Sequence, residues 1–277
     1  MFRRSHAEVL DQFLNILQHL PNLKRLSIMA DFYSIREKLP LFTKLEELYL
    51  DVGLEAEELI SCCKFNPNLR VLHIYNSNIY GNLLDIAKYC NTLEELWIQT
   101  KPNAEEYGPC AELPKLKSLI ICGPHEAGTL HRPFHAMAKP MGDFNLHHLS
   151  IRNTIINFKE TTKMSQIKSL VSLSCTFADA LCVERLTLLK NLKELNILMK
   201  NDIQISRELL SIIRDCTKLE FLATERRNVS QNFLAEAHEV LRLIRNPDQD
   251  QPLKMLLIGY GRVSPVDRIN DAYLQVL

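Results

Sequence analysis

Leu93-Glu94-Glu95-Leu96-Trp97-Ile98 is the stretch whose reading decides the fold. Its alternation of apolar and polar residues has the period of two that belongs to a β-strand, so Leu96 and Ile98 share one face and Glu95 and Trp97 the other. Just upstream, Leu83, Leu84, Ile86 and Ala87 carry the i, i+3, i+4 spacing of a helix, and Tyr89-Cys90-Asn91-Thr92 ends it. A helix followed by a short strand is too small to bury its own apolar face. It must stack on another unit of the same kind.

The chain supplies those units. The pattern Leu-x-x-Leu-x-(Leu/Ile) returns at Leu23-Leu26-Ile28, Leu45-Leu48-Leu50, Leu69-Leu72-Ile74, Leu93-Leu96-Ile98, Leu116-Leu119-Ile121, Leu146-Leu149-Ile151, Leu170-Leu173-Cys175, Leu192-Leu195-Ile197, Leu219-Leu222-Thr224 and Leu253-Leu256-Ile258. Steps of roughly two dozen residues are the mark of a leucine-rich repeat solenoid. The expected fold is therefore α/β: a right-handed horseshoe of about ten repeats, with a parallel concave sheet and helices on the convex side. Residues 1–277 are read as one such domain. A leading helix occupies 1–22, a loop insertion 122–143, and a C-terminal capping helix 264–277, where Ser264-Pro265 reads as N-cap and first helical residue. Thr224 is polar at an inward position, so local irregularity is expected there.

Composition bounds the function. The 33 basic and 33 acidic side chains balance, which argues against a non-specific grip on nucleic acid. Residues 41–112 are acidic, with 12 Asp/Glu against 5 Lys/Arg. No run approaches the ~18 apolar residues of a membrane helix, and Glu8 and Asp11 interrupt what a secretory signal would keep apolar. Eight cysteines follow no paired framework, so a reducing compartment, cytoplasm or nucleus, is expected.

Cys90-Asn91-Thr92-Leu93-Glu94-Glu95-Leu96, Cys216-Thr217-Lys218-Leu219-Glu220-Phe221-Leu222, Pro21-Asn22-Leu23-Lys24-Arg25-Leu26 and Pro67-Asn68-Leu69-Arg70-Val71-Leu72 resemble the cysteine-containing type of leucine-rich repeat. That type is typical of F-box and leucine-rich repeat proteins, the substrate receptors of SCF ubiquitin ligases. The similarity runs over about residues 5 to 260. It implies a module that presents a protein for ubiquitin-dependent degradation, with cullin-RING ligase subunits as indirect partners. No F-box is read: His6 to Leu14 is faintly similar to the start of one, but the first repeat strand follows too soon for three helices. The resemblance therefore implies the receptor half alone; the alternative is a free-standing interaction scaffold.

The partner-binding residues follow from the strand period. The central outward column reads Ser27, Tyr49, His73, Trp97, Ile120, Ser150, Ser174, Asn196, Ala223 and Leu257. Strands ~4.8 Å apart place Tyr49, His73, Trp97 and Ile120 side by side. Tyr75 flanks them, and Glu47, Asp51, Glu95 and Gln99 form the edge. Aromatic residues with a charged rim are what a binding hot spot is made of. The expected ligand is a protein segment with an apolar anchor and Lys/Arg neighbours, with no nucleic acid or membrane. Ordinary strand composition also favours aromatic residues.

Other signals lead away from chemistry. Cys122, His125, His131 and His135 match no familiar zinc spacing and read as part of a flexible surface loop. Gly259-Tyr260-Gly261 lacks the βαβ context of a phosphate-binding turn. Cys62-Cys63 read as small buried residues, and Asn228-Val229-Ser230 as a chance glycosylation sequon. No nucleophile, base and orienter can be assembled, so neither an enzyme nor a cofactor is expected.

Overall fold

The computed structural model describes residues 2–34, 38–75, 79–80, 85–99, 109, 112–123, 128–138, 145–259 and 269–277. The chain divides into two compact units. Unit 1 holds residues 1–124 and 140–145, and unit 2 holds 125–139 and 146–277.

In unit 1, helix α1 (Phe2–Leu17) precedes strands β1 (Arg25–Ser34), β2 (Glu47–Glu55) and β3 (Val71–Ile74). Helix α2 (Ala56–Phe65) lies between β2 and β3. A two-residue strand β4 (Ile79–Tyr80), helix α3 (Ile86–Tyr89), β5 (Glu95–Gln99) and β6 (Ser118–Cys122) follow. The strands pair in parallel in the order β1, β2, β3, β5, β6, and β4 adds to the end of β2. Each second leucine meets the next one across the ladder: Leu26 with Leu48, Leu48 with Leu72, Leu72 with Leu96, Leu96 with Leu119. Leu48, Leu72 and Leu96 have no exposed surface. They form the spine.

Unit 2 repeats the scheme. Helix α4 (His131–Met137) leads to β7 (His148–Ile156), α5 (Phe158–Met164), β8 (Ser172–Phe177), α6 (Ala180–Arg185), β9 (Glu194–Met199), α7 (Ser206–Asp215), β10 (Phe221–Glu225), α8 (Phe233–Ile244), β11 (Leu253–Ile258) and β12 (Leu274–Val276). β7 to β12 pair in parallel in chain order, and α4 to α8 pack side by side in sequence. Parallel strands returned by helices, with leucines between the two layers, are the leucine-rich repeat architecture. The fold is α/β.

Buried polar side chains tie neighbouring repeats, and the sequence reading missed them. Asn66, 2% exposed, donates to the carbonyls of Phe42 and Cys62, while Leu45 N–H donates to its Oδ1 at 2.6 Å. In unit 2 the Asn228 amide likewise donates, to the carbonyls of Asn201 and Ile203. Its full burial leaves no room for a glycan. Glu58 accepts from Lys38 N–H and Leu39 N–H, at the entry to a 3-10 turn over Leu39–Leu41. Glu160 accepts from Leu130 N–H at 2.9 Å and Asn157 N–H at 3.0 Å. A chain reversal leaves backbone N–H groups without helix or sheet partners, and a buried side-chain oxygen satisfies them.

Five expectations are corrected. The insertion is not a flexible loop in its described part: α4 buries Phe134 completely, with Leu130 and Met137 at 1% and 3% exposure. Their i, i+4, i+7 spacing was the overlooked helical signal. In place of a C-terminal helix, Leu274–Val276 add a strand to β11; Ser264 and Pro265 lie outside the described residues. Thr224 causes no irregularity, since it pairs in register with Ile197 and Leu257. The register shifts fall in β1 and in β7, where Asn153 takes φ 59°, a left-handed conformation that asparagine tolerates. The last repeat is slipped by one residue, because Leu222 faces Met255 and Ala223 faces Leu256. Leu253 and Met255 are therefore inward and fully buried, and Leu256 takes the outward place assigned to Leu257. Finally, two cysteines do pair: Cys63 of α2 bonds Cys90 at the end of α3, with Cα atoms 5.3 Å apart. Both sit in the helix layer behind β3 and β5.

Candidate functional site

The outer face of the unit 1 sheet is a grid of three columns on adjacent strands. The first column is Arg25, Glu47, Val71, Glu95 and Ser118, and the second is Ser27, Tyr49, His73, Trp97 and Ile120. In the third column Met29 faces Asp51, and Gln99 faces Cys122. Tyr75 lies just past the end of β3, where its N–H donates to the Leu50 carbonyl at 2.8 Å. All nine residues expected from the sequence, Glu47, Tyr49, Asp51, His73, Tyr75, Glu95, Trp97, Gln99 and Ile120, lie on this grid. The parallel register brings them together, because equal repeats put equal positions on neighbouring strands.

They are not an even row of exposed rings. His73 is the keystone, only 8% exposed. Tyr49 meets it edge-on at 4.8 Å between ring centroids, Tyr75 at 5.7 Å, and Trp97 tilts against it at 5.5 Å. Tyr75 and Trp97 also meet edge to face at 4.8 Å. These offset geometries let the positive edge of one ring meet the negative face of the next. Polar bonds lock the cluster. His73 Nε2 lies 2.6 Å from Glu95 Oε1, and Nδ1 lies 2.9 Å from the Tyr75 hydroxyl. A carboxylate only accepts, so Nε2 carries a proton. In the neutral imidazole Nδ1 then accepts from Tyr75.

The rim is organised in the same way. Tyr49 donates its hydroxyl to Glu47 at 3.0 Å. Burial, and then this bond, push the Tyr49 pKa upward, so the hydroxyl stays protonated as a donor. The Arg25 guanidinium lies over the Tyr49 ring at 4.8 Å, with its Nε 3.4 Å from Glu47. The face thus already holds one cation against an aromatic ring and a carboxylate. Glu47, Asp51, Glu95, Trp97, Gln99 and Ile120 are each partly exposed.

The matching column in unit 2 is Ser150, Ser174, Asn196, Ala223 and Leu256. It has no ring, and Ala223 is 2% exposed. The aromatic surface therefore belongs to unit 1. Among the described residues no group of three or more His, Cys, Asp or Glu could hold a metal ion; His125 lies outside them. The buried thiols are poor nucleophiles: burial raises the Cys62 pKa to about 12, and that of Cys182 and of Cys216 to about 11. No described helix is long and apolar enough to cross a membrane.

No family model and no curated protein matches the chain. Among solved structures it is similar to two internalins of Listeria monocytogenes. One shares 18% identity over 73% of this chain and 80% of that chain, with a TM-score of 0.49; the other shares 15% over 87% and 76%, with a TM-score of 0.48. A leucine-rich repeat protein of Leptospira interrogans shares 14% over 83% and 79%, with a TM-score of 0.34.

Proposed function

We propose that the chain is a protein-recognition module whose contact surface is the outer face of the unit 1 sheet. One observation carries this reading: Tyr49, His73, Tyr75 and Trp97 form an interlocked cluster among Glu47, Asp51 and Glu95. Rings held this rigidly lose little entropy when a partner covers them. The carboxylates favour a partner with Lys or Arg around an apolar anchor. The chain has no catalytic role of its own in this reading.

The finer role is that of the substrate-binding half of an SCF ubiquitin ligase receptor, supported by the cysteine-containing repeats around Cys90 and Cys216. The same surface would also serve a free-standing scaffold. Affinity capture with the intact chain and with a Tyr49→Ala/Trp97→Ala variant tests both. A partner lost from the variant supports the recognition surface, and cullin and adaptor subunits in the capture support the ligase role. Their absence beside a reproducible partner favours the scaffold. Equal capture by the two chains rejects the surface.

The proposed location is the cytoplasm or nucleus. Cys62, Cys175, Cys182 and Cys216 are free thiols, as befits a reducing compartment, whereas Cys63–Cys90 pulls the other way. Alkylation of protein taken directly from cells should label Cys63 and Cys90 once the chain is unfolded. Protection of that pair until a reductant is added would place the protein in an oxidising compartment instead.

A further inference from the structure

Both ring nitrogens of His73 are engaged, Nε2 at 2.6 Å from Glu95 Oε1 and Nδ1 at 2.9 Å from the Tyr75 hydroxyl. The His73 side chain is 11% exposed and that of Glu95 40%. A partner approaching the sheet therefore meets the carboxylate and not the imidazole behind it. Among the described residues, the titratable and charged groups facing this pair come from three further elements. β2 presents Tyr49, with Glu47 bound to its hydroxyl, and Asp51 in the next column. β1 reaches in with Arg25, which lies over the Tyr49 ring and is held by Glu47 at 3.4 Å. Tyr75 closes the end of β3, and β6 adds only Ser118 and Ile120, which do not titrate. Glu95 is the one carboxylate bonded to the ring. Histidine is the side chain that ordinarily changes charge between about pH 5 and 8.

We propose that His73 is a pH switch for this face, and that its protonation withdraws the Glu95 charge from a basic partner. Nε2 already carries a proton toward the carboxylate, so a second proton enters at Nδ1. Half-buried Tyr75 provides the way in. Its hydroxyl proton moves to Nδ1 and solvent returns one to the tyrosine oxygen, which leaves one net proton on the imidazole. The 2.9 Å contact then runs from Nδ1–H to that oxygen, because a tyrosine hydroxyl both donates and accepts. The rings keep their places and the charge changes. Neutral His73 leaves Glu95 its full negative charge, whereas the imidazolium pairs with it and brings the two to zero. A partner's Lys or Arg competes with that internal cation for the same carboxylate. Acid therefore weakens its binding, and its binding in turn opposes protonation of His73. The effect on a partner rests on the recognition surface proposed above; the titration of His73 does not.

Trp97 gives the readout, since it is the only tryptophan of the chain and its ring lies 5.5 Å from that of His73. A protonated imidazole quenches an adjacent indole. Fluorescence of the full chain should fall in a single transition between about pH 8 and 5, with an unchanged far-ultraviolet circular dichroism spectrum. His73→Gln should abolish the transition. Glu95→Gln, a change at a partly exposed position, should move it about one unit to lower pH, because an opposite charge favours the imidazolium. A flat wild-type titration overturns the switch, and so does a transition that ignores Glu95→Gln. The effect on binding is read with an amidated Lys-Arg-Leu-Lys-Arg peptide, an apolar anchor between basic residues. Its dissociation constant should rise roughly fivefold between about pH 7.5 and 5.5 for the wild type, a typical coupling between two linked sites, and stay level for Glu95→Gln. Equal binding by the wild type at both pH values overturns the coupling. A peptide that binds at neither pH, beside a normal fluorescence transition, counts against the recognition surface and not against the titration of His73.

Discussion

Phe177→Ala is expected to destabilise unit 2 by about 3–5 kcal/mol, the usual cost of removing a fully buried phenyl ring from a packed core. Phe177 ends β8 with no exposed surface, between Ile156 of β7 and Met199 of β9. It therefore fills space in three consecutive repeats. In a repeat stack most stability comes from contacts between neighbours, so the cavity weakens both interfaces of β8 together. Set against the 5–15 kcal/mol that typically holds a domain, the loss should move the urea midpoint strongly. Leu181→Ala is the control, because Leu181 is 58% exposed on the adjacent helix α6 and such changes usually stay within about 0.5 kcal/mol. Equal midpoints for the two variants would mean that Phe177 does not sit between the strands and helices of a stacked repeat.

How far this could be read from sequence depends on how many alternatives each segment allows. Leu93 to Ile98 allows only one: with Glu94, Glu95 and Trp97 between the apolar positions, a slip by one residue would bury charge. Leu253 to Ile258 allows two, because five of its six residues are apolar and either parity makes an inward face. Packing then chose Leu253 and Met255. The helix through Phe134 was hidden for a different reason. Its three histidine and glycine neighbours suggested a loop or a ligand set, and they outweighed the spacing of Leu130, Phe134 and Met137. Asn66 and Asn228 carry no local pattern that marks them as buried. Their partners, Phe42 and Asn201 among them, lie a repeat away, and such distances are invisible to periodicity. Cys63 and Cys90 met for the same reason, 27 residues apart on successive helices.

The candidate site was legible in membership and not in depth. Strand parity placed Tyr49, His73 and Trp97 on one face, but parity cannot say which of three neighbouring rings the others cover. Tyr75 decides it. By reaching His73 Nδ1 and the Trp97 ring together, it closes the cluster from the side and leaves His73 under a roof. Exposure therefore concentrates on Trp97, Tyr49 and the carboxylates around them.

Trp97→Ala should weaken binding of the partner by about 2 kcal/mol or more, the threshold of a hot spot, which is roughly a thirtyfold loss of affinity or greater. The fold should tolerate the change. Trp97 lies on the outer face of β5, between the inward Leu96 and Ile98 that hold the ladder, and its backbone bonds are untouched. The stability cost is set by its ring contacts with His73 and Tyr75, worth about 0.5–1.5 kcal/mol each beyond area. The effect on binding should exceed that cost, because the truncated site loses contact area and the fixed position of His73 and Tyr75 at once. Glu95→Gln separates charge from shape: an amide can still accept from His73 Nε2 but no longer attracts a cation. It should slow association and flatten its salt dependence, with little change in dissociation. Calorimetry and stopped-flow kinetics on the captured partner measure both. If Trp97→Ala binds with wild-type affinity, the aromatic cluster is ordinary strand packing and the partner binds elsewhere.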